Sequence, residues 1–143
     1  MIHIAVCDDE KYISDNIKAF ASDFFCKKNR EIHLRTFSSG EELLAYDGRI
    51  DILFLDIQMK GMDGIETAKR LRAGNFRGFL IFITVLREMV FQSFEVQAYD
   101  YLVKPVEETQ FGKTMERLYA SMCSASEDSL LVQKGYEGRI IQK

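Results

Sequence analysis

Residues 52–64 read Ile-Leu-Phe-Leu-Asp-Ile-Gln-Met-Lys-Gly-Met-Asp-Gly, and the interpretation of this stretch decides the fold. Residues 52–55 form a short, unbroken apolar run, the signature of a strand covered on both faces. An acid, Asp56, closes the run. Asp63 followed by Glu66 has the capping-box spacing that starts a helix, and Ile65, Ala68 and Leu71 behind it supply one apolar stripe. The unit is therefore strand, acid, loop, helix.

The same unit recurs in both directions along the chain. Apolar runs at 2–7, 32–37, 79–83 and 99–103 give four further strands. Helical periodicity places Ile13, Ile17, Phe20 and Phe24 on one face, and Phe111, Met115, Leu118 and Met122 on another. Ser39 with Glu42 repeats the capping-box spacing ahead of Leu43 and Leu44. Strand and helix alternate five times, which predicts an α/β fold: a doubly wound, five-stranded parallel sheet with helices on both faces. In such sheets the functional crevice lies beyond the carboxyl ends of the strands.

Composition narrows the function classes. The 143 residues suffice for one domain with a real core, 47% hydrophobic and 29% charged, in the globular range. Apolar runs are too short to span a bilayer and the N-terminus lacks a signal-peptide pattern, so a cytoplasmic protein without membrane contact is expected. A net charge of -3 offers no general attraction for a polyphosphate backbone. Cys7, Cys26 and Cys123 are odd in number and widely spaced, which reads as reduced thiols without an assigned role. His3 and His33 sit inside strand-like runs and receive no role either.

Four strand ends carry chemistry. Asp8, Asp9 and Glu10 follow the first strand, Asp56 the third and Thr84 the fourth. Lys104 follows the fifth, just before Pro105, the only proline. In a parallel sheet these loops open on one edge, so the residues converge. Clustered carboxylates repel unless a cation neutralises them, and Mg2+ favours one or two carboxylates with a phosphate oxygen. A metal, a lysine and a hydroxyl around one carboxylate suffice for phosphoryl transfer, with Asp56 placed as nucleophile.

At this point the segments Ala-Val-Cys-Asp-Asp-Glu, Leu-Phe-Leu-Asp-Ile-Gln-Met-Lys-Gly-Met-Asp-Gly, Ile-Phe-Ile-Thr and Ala-Tyr-Asp-Tyr-Leu-Val-Lys-Pro resemble the receiver family of two-component response regulators, in order and spacing. The resemblance implies a flavodoxin-like (βα)5 sheet in the order 2-1-3-4-5 and a phosphoacceptor rather than a conventional enzyme. It implies Asp56 as phosphoacceptor, and Mg2+ held by Asp9, Asp56 and the Gln58 backbone carbonyl, with Asp8 acting through water. Thr84 would bind a phosphoryl oxygen, Lys104 would pair with the acyl phosphate, and Tyr101 would be the aromatic switch. The Lys104-Pro105 bond is expected to be cis, aiming the amine into the site. Implied partners are a sensor histidine kinase and a second copy of the chain, docked through a fourth helix at 88–96, the fifth strand and the fifth helix. Val90, Phe91 and Phe94 on that fourth helix are read as core or as interface.

Two positions depart from the family pattern. Val85 stands where Ala or Gly is usual, and with Leu86 it is expected to hinder attacking water and lengthen the acyl-phosphate lifetime. Lys60 replaces a customary Pro, which leaves its loop less stiff. A receiver domain is expected over 1–123 and a linker over 124–129. Residues 130–143 are expected to open a truncated output domain, starting with a strand, a Gly-bracketed turn and a second strand. That tail resembles the start of a LytTR-type DNA-binding domain, so DNA contact would come from the missing part. A haloacid-dehalogenase-like phosphatase is the enzymatic alternative, but Gln58 occupies the position where it needs a second Asp. A receiver that docks or dimerises without phosphorylation is the other.

Overall fold

The computed structural model describes residues 1–85 and 96–132, with side chains as far as residue 124. Five strands, β1 (Ile2–Cys7), β2 (Ile32–Phe37), β3 (Ile52–Asp56), β4 (Phe79–Thr84) and β5 (Asp100–Val103), form one sheet in the order β2-β1-β3-β4-β5. Every neighbouring pair is parallel. The described helices are α1 (Lys11–Lys27), α2 (Gly40–Ala45), α3 (Gly64–Ala73) and α4 (Glu108–Val132), the last being the helix that the sequence counts as fifth. The expected fourth helix at 88–96 falls almost wholly outside the described residues, together with Leu86, Val90, Phe91 and Phe94.

Strand alternation divides the apolar side chains into two cores. Ile4, Val6, Phe54 and Ile81 face α1 and α4, whereas Ala5, Leu53, Leu55 and Phe82 face α2 and α3. Each fully buried Leu, Ile or Phe of β3 contributes about 1.5–3 kcal/mol, which makes this central strand the anchor of the sheet. The α1 stripe differs from expectation by one position. Ile13, Ile17, Ala21 and Phe25 are buried, and Phe20 and Phe24 only flank the core. The buried residues follow a four-residue row that winds slowly around this 17-residue helix, whereas the pattern read from the sequence runs straight along it.

Both expected N-caps form. Ser39 accepts from the Glu42 N–H and Asp63 from the Glu66 N–H. Glu42 reaches back to Ser38, while Glu66 instead pairs with Arg70 one turn later. At the opposite end of α3, the Arg72 guanidinium donates to the carbonyls of Phe76, Gly78, Val96 and Gln97. That fork ties the helix to the chain entering β5. Asp100 then fixes α4, accepting from Thr114 Oγ1 at 3.1 Å and from Arg117 at 2.6 Å.

The end of the chain requires a correction. Residues 124–129, expected as a linker, and Leu130 to Val132, expected as strand, belong to α4. Ser, Ala, Glu and Asp tolerate a helix, and no breaker intervenes before Gly135, so the helix begun on the core continues. The remaining tail, 133–143, lies outside the described residues.

Candidate functional site

Parallel pairing aligns the strand ends. Cys7 pairs with Leu55, Asp56 with Ile83 and Thr84 with Val103, so the residues that follow lie along one edge. Main-chain bonds then set the loops, with Asp8 N donating to the Phe37 carbonyl, Ile57 N to Ile83 and Lys104 N to Thr84. The oxygens of Asp8, Asp9 and Asp56 converge to within 4.8 Å of one another. Lys104 enters from the far side, its Nζ 3.2 Å from Asp8, 3.3 Å from Asp56 and 3.1 Å from Glu10. The Lys104-Pro105 peptide is cis. Thr84 is fully buried at the end of β4.

Each carboxylate has a distinct setting. Asp56 is 1% exposed, and one of its oxygens accepts from the Gln58 N–H at 3.2 Å. One oxygen of the buried Asp8 accepts from the Glu10 N–H at 2.8 Å. Asp9 is exposed and accepts from the Lys60 N–H at 3.2 Å. The second oxygens of Asp8 and Asp56 are buried without a hydrogen bond, because Lys104 stands within ion-pair distance of both but outside hydrogen-bond geometry.

The electrostatics follow from that crowding. Burial, and after it the Asp8 charge, push the Asp56 carboxyl up to about 7, although Lys104 and the Gln58 N–H act against the shift. Asp8 is raised as well, chiefly by burial. Burial alone would lower Lys104, but Asp56 and Asp8 more than reverse it and hold the ammonium protonated. Three acids, Asp8, Glu10 and Asp56, thus share one amine with Asp9 beside them, and two buried oxygens are left without a hydrogen bond. An all-oxygen donor set of this kind fits a hard divalent cation.

Three contributors were not singled out from sequence. Glu10 shares Lys104 with the buried acids and so makes no side-chain cap for α1. The acid was visible beside Asp9, but its partner, 94 residues away, was not. Gly64 has its N–H on the Ile57 carbonyl at 2.8 Å, and a Cβ there would lie 2.2 Å from the Asp56 carbonyl oxygen. The Asp-Gly pair at the start of the helix was the available signal. Cys7 lies under the site with Sγ 3.7 Å from Met59 Sδ, and burial followed by the Asp8 charge pushes its thiol up to about 12. Burial and the neighbouring acids both disfavour its thiolate.

Tyr101 is half-buried, one residue along β5 from Leu102 and opposite Phe82 in the register. Since Thr84 lies two residues beyond Phe82, Tyr101 and Thr84 are on the same face of the sheet. Tyr101, Val103, Lys104 and Pro105 line an open cavity of about 400 Å³ together with Glu107 of the β5 to α4 connection and Gln110 of α4. Val85, which directly follows Thr84, is 53% exposed.

This fold, with an acid trio and a lysine on its carboxyl edge, is that of the receiver domains. Residues 4–116 match the model of the response regulator receiver domain. The chain belongs to that family. It is 34% identical over 119 residues to the transcriptional regulatory protein BtsR of Escherichia coli K12, covering 82% of this chain and 48% of BtsR. It is 32% identical over 88 residues to the transcriptional regulatory protein YpdB of the same organism, covering 60% of this chain and 36% of YpdB. The chain thus spans half the length of these relatives or less. Among solved structures, the response regulatory domain of mrkE from Klebsiella pneumoniae shares the fold, with a TM-score of 0.73 at 22% identity over 84% of this chain and 97% of that one. The BeF3-activated receiver domain of DrrB, from Thermotoga maritima, gives 0.67 at 26% identity over 84% of this chain and 98% of that one. Among the described residues, no helix is long and apolar enough to cross a membrane. Membership of the receiver family removes the haloacid-dehalogenase-like alternative.

Proposed function

We propose that Asp56 accepts a phosphoryl group from a phosphohistidine of a sensor kinase, and that the acyl phosphate switches the Thr84 and Tyr101 face. The observation that carries this reading is the buried Asp56 carboxylate, with one oxygen held by the Gln58 N–H and the other left without a hydrogen bond beside Lys104. The free oxygen is the nucleophile. It forms the new P–O bond as the P–N bond of the donor imidazole breaks, and the imidazole leaves.

Asp9, Asp56 and the Gln58 carbonyl would hold Mg2+, with Asp8 joining through water. That ion supplies charge neutralisation for the phosphoryl oxygens. Lys104 exchanges a carboxylate partner for a phosphoryl oxygen, and the Thr84 hydroxyl donates to another. Tyr101 then moves inward behind Thr84, changing the β5 and α4 surface that we assign to a homodimer. Autodephosphorylation by water returns the switch, at a rate set partly by Val85. The named relatives are transcriptional regulatory proteins, and a LytTR-type DNA-binding domain following this segment would make the whole protein a transcription factor.

The test is incubation with Mg2+ and acetyl phosphate or beryllofluoride, following mass, oligomeric state and metal affinity for the wild type and Asp56→Asn. A retained phosphoryl adduct on the wild type alone, with a shift toward dimer, is expected. Dimerisation or docking that proceeds unchanged without any adduct would favour the phosphorylation-independent reading and overturn this one.

A further inference from the structure

The sheet face beneath α2 is apolar towards the carboxyl ends of its strands, where Ala5, Cys7 and Leu55 are buried. At the amino ends it carries two imidazoles instead. His3 and His33 are register partners on the parallel pair β1 and β2, so their side chains leave the same face side by side. Their ring centroids are 5.5 Å apart with planes inclined at 51°. His3 is half-buried and His33 is exposed. Among the described residues neither ring has a hydrogen-bond partner.

The surroundings explain why the pair stays open and ordered. Helix α2 has six residues, about 9 Å, against strands of about 20 Å, so it covers only the far part of this face. Tyr46, just after α2, packs on Phe37 and carries the Arg35 guanidinium 5.0 Å over its ring, closing the face two residues beyond His33. Asp51 accepts from His3 N at 2.8 Å with one oxygen and from Arg49 Nε at 2.9 Å with the other. Its carboxylate is a positioning group with both oxygens engaged, and it pins the backbone from which the His3 ring projects.

We propose that His3 and His33 form a two-histidine binding site for a borderline divalent transition ion of the zinc, cobalt, nickel and copper class. Imidazole nitrogen suits these ions and not the hard Mg2+ of the acidic pocket. Two imidazoles sharing one ion with bonds of about 2.1 Å have ring centroids about 5 to 5.5 Å apart, so the rings need only rotate in place. Water completes the coordination on the open side. The site lies roughly 16 Å from Asp8, five residues along β1, and clips the edge strand β2 to β1 at the end of the sheet away from the acids. It is independent of the reading given for Asp56.

The test uses the full chain with exposed Cys26 and Cys123 replaced by Ser, kept in saturating Mg2+, and titrated with zinc and with cobalt(II). One ion per chain is expected, with both histidine ring resonances shifting together and a rise in melting temperature. Because two tethered ligands gain about 100-fold or more over one, His3→Gln and His33→Gln should each weaken binding by about that factor, while Asp56→Asn leaves it unchanged. Since His3 is half-buried, the wild-type ring resonances give a readout that does not depend on that variant folding. Zinc that shifts neither ring, binding that survives either histidine replacement at full affinity, or binding lost in Asp56→Asn would overturn the proposal.

Discussion

Replacing Asp56 by Asn should stabilise the metal-free protein at neutral and alkaline pH and leave it unchanged near pH 4. In the unfolded chain the carboxyl titrates near the ordinary value of about 3.9, whereas in the fold it is pushed up to about 7 by burial and by Asp8. Between those values the native state binds the more protons, so its stability falls as pH rises through the window. The carboxyl's contribution is complete below pH 4 and lost above pH 7. Three units correspond to about 4 kcal/mol at most. Part of that is returned, because Lys104 loses a partner when Asp56 becomes neutral, and about 2 kcal/mol at pH 8 is the expected gain. For a domain of this size that is a rise of roughly 8 °C in melting temperature. Thermal unfolding in a chelator from pH 4 to 8 measures it. The wild-type curve should fall across the window and the Asn curve should stay flatter. Added Mg2+ should close the gap from the wild-type side, by about 2.7 kcal/mol at a hundred times its dissociation constant. Parallel pH profiles for the two proteins, or an Asn variant less stable at pH 8, would refute the claim that Asp56 and Asp8 are held together against their repulsion.

Lys104→Met removes the ammonium that pairs with these acids and should cost about 3 kcal/mol at pH 8 and little at pH 4, read by the same melts; a loss independent of pH would assign Lys104 a packing role instead. Gly64→Ala should lose about 3 kcal/mol or more and also lower labelling by acetyl phosphate, because the new Cβ meets the Asp56 carbonyl rather than a flexible side chain. Gly112→Ala, where a Cβ meets nothing within 4 Å inside α4, should gain about 0.5–1 kcal/mol in urea denaturation. Val85→Ala should change stability by less than about 0.5 kcal/mol, since Val85 is largely exposed, yet shorten the acyl-phosphate lifetime; an unchanged dephosphorylation rate would remove the steric account of Val85.

The order of elements was legible because it rests on local signals. Unbroken apolar runs mark β3 and β4, buried on both faces, whereas the edge strand β2 alternates apolar with polar residues, and Ser39 and Asp63 mark helix starts that the structure contains. Once the strands alternate with helices, parallel pairing and handed crossovers leave few topologies, and the observed order is one of them. What failed locally failed for a physical reason. Phe20 and Phe24 are as apolar as Ala21 and Phe25, and periodicity alone cannot say which diagonal of α1 faces the sheet. At 130–132 the triplet Leu-Leu-Val suits a strand by side-chain preference, but a helix already propagating from the core adds residues at low cost and carries it through.

For the site, position was legible and energetics were not. Strand-end location follows from topology, so Asp8, Asp9, Asp56, Thr84 and Lys104 could be placed along one edge before any distance was known. The pairing of Lys104 with Glu10, and the two oxygens left without hydrogen bonds, depend on side-chain directions fixed by three different loops. They decide the chemistry. Burial and the Asp8 charge push the Asp56 carboxyl up to about 7 against the pull of Lys104, and the oxygen left without a hydrogen bond is the one we propose attacks phosphorus. The same reasoning separates the two histidines from the acids. A sheet edge that gathers oxygen donors around one amine selects hard, charge-dense partners, whereas the register pair at the other end offers imidazole nitrogens without a hydrogen-bond partner among the described residues. One parallel sheet thus presents two donor sets of opposite character at its two ends, because register fixes which side chains stand beside each other and composition fixes what they can bind.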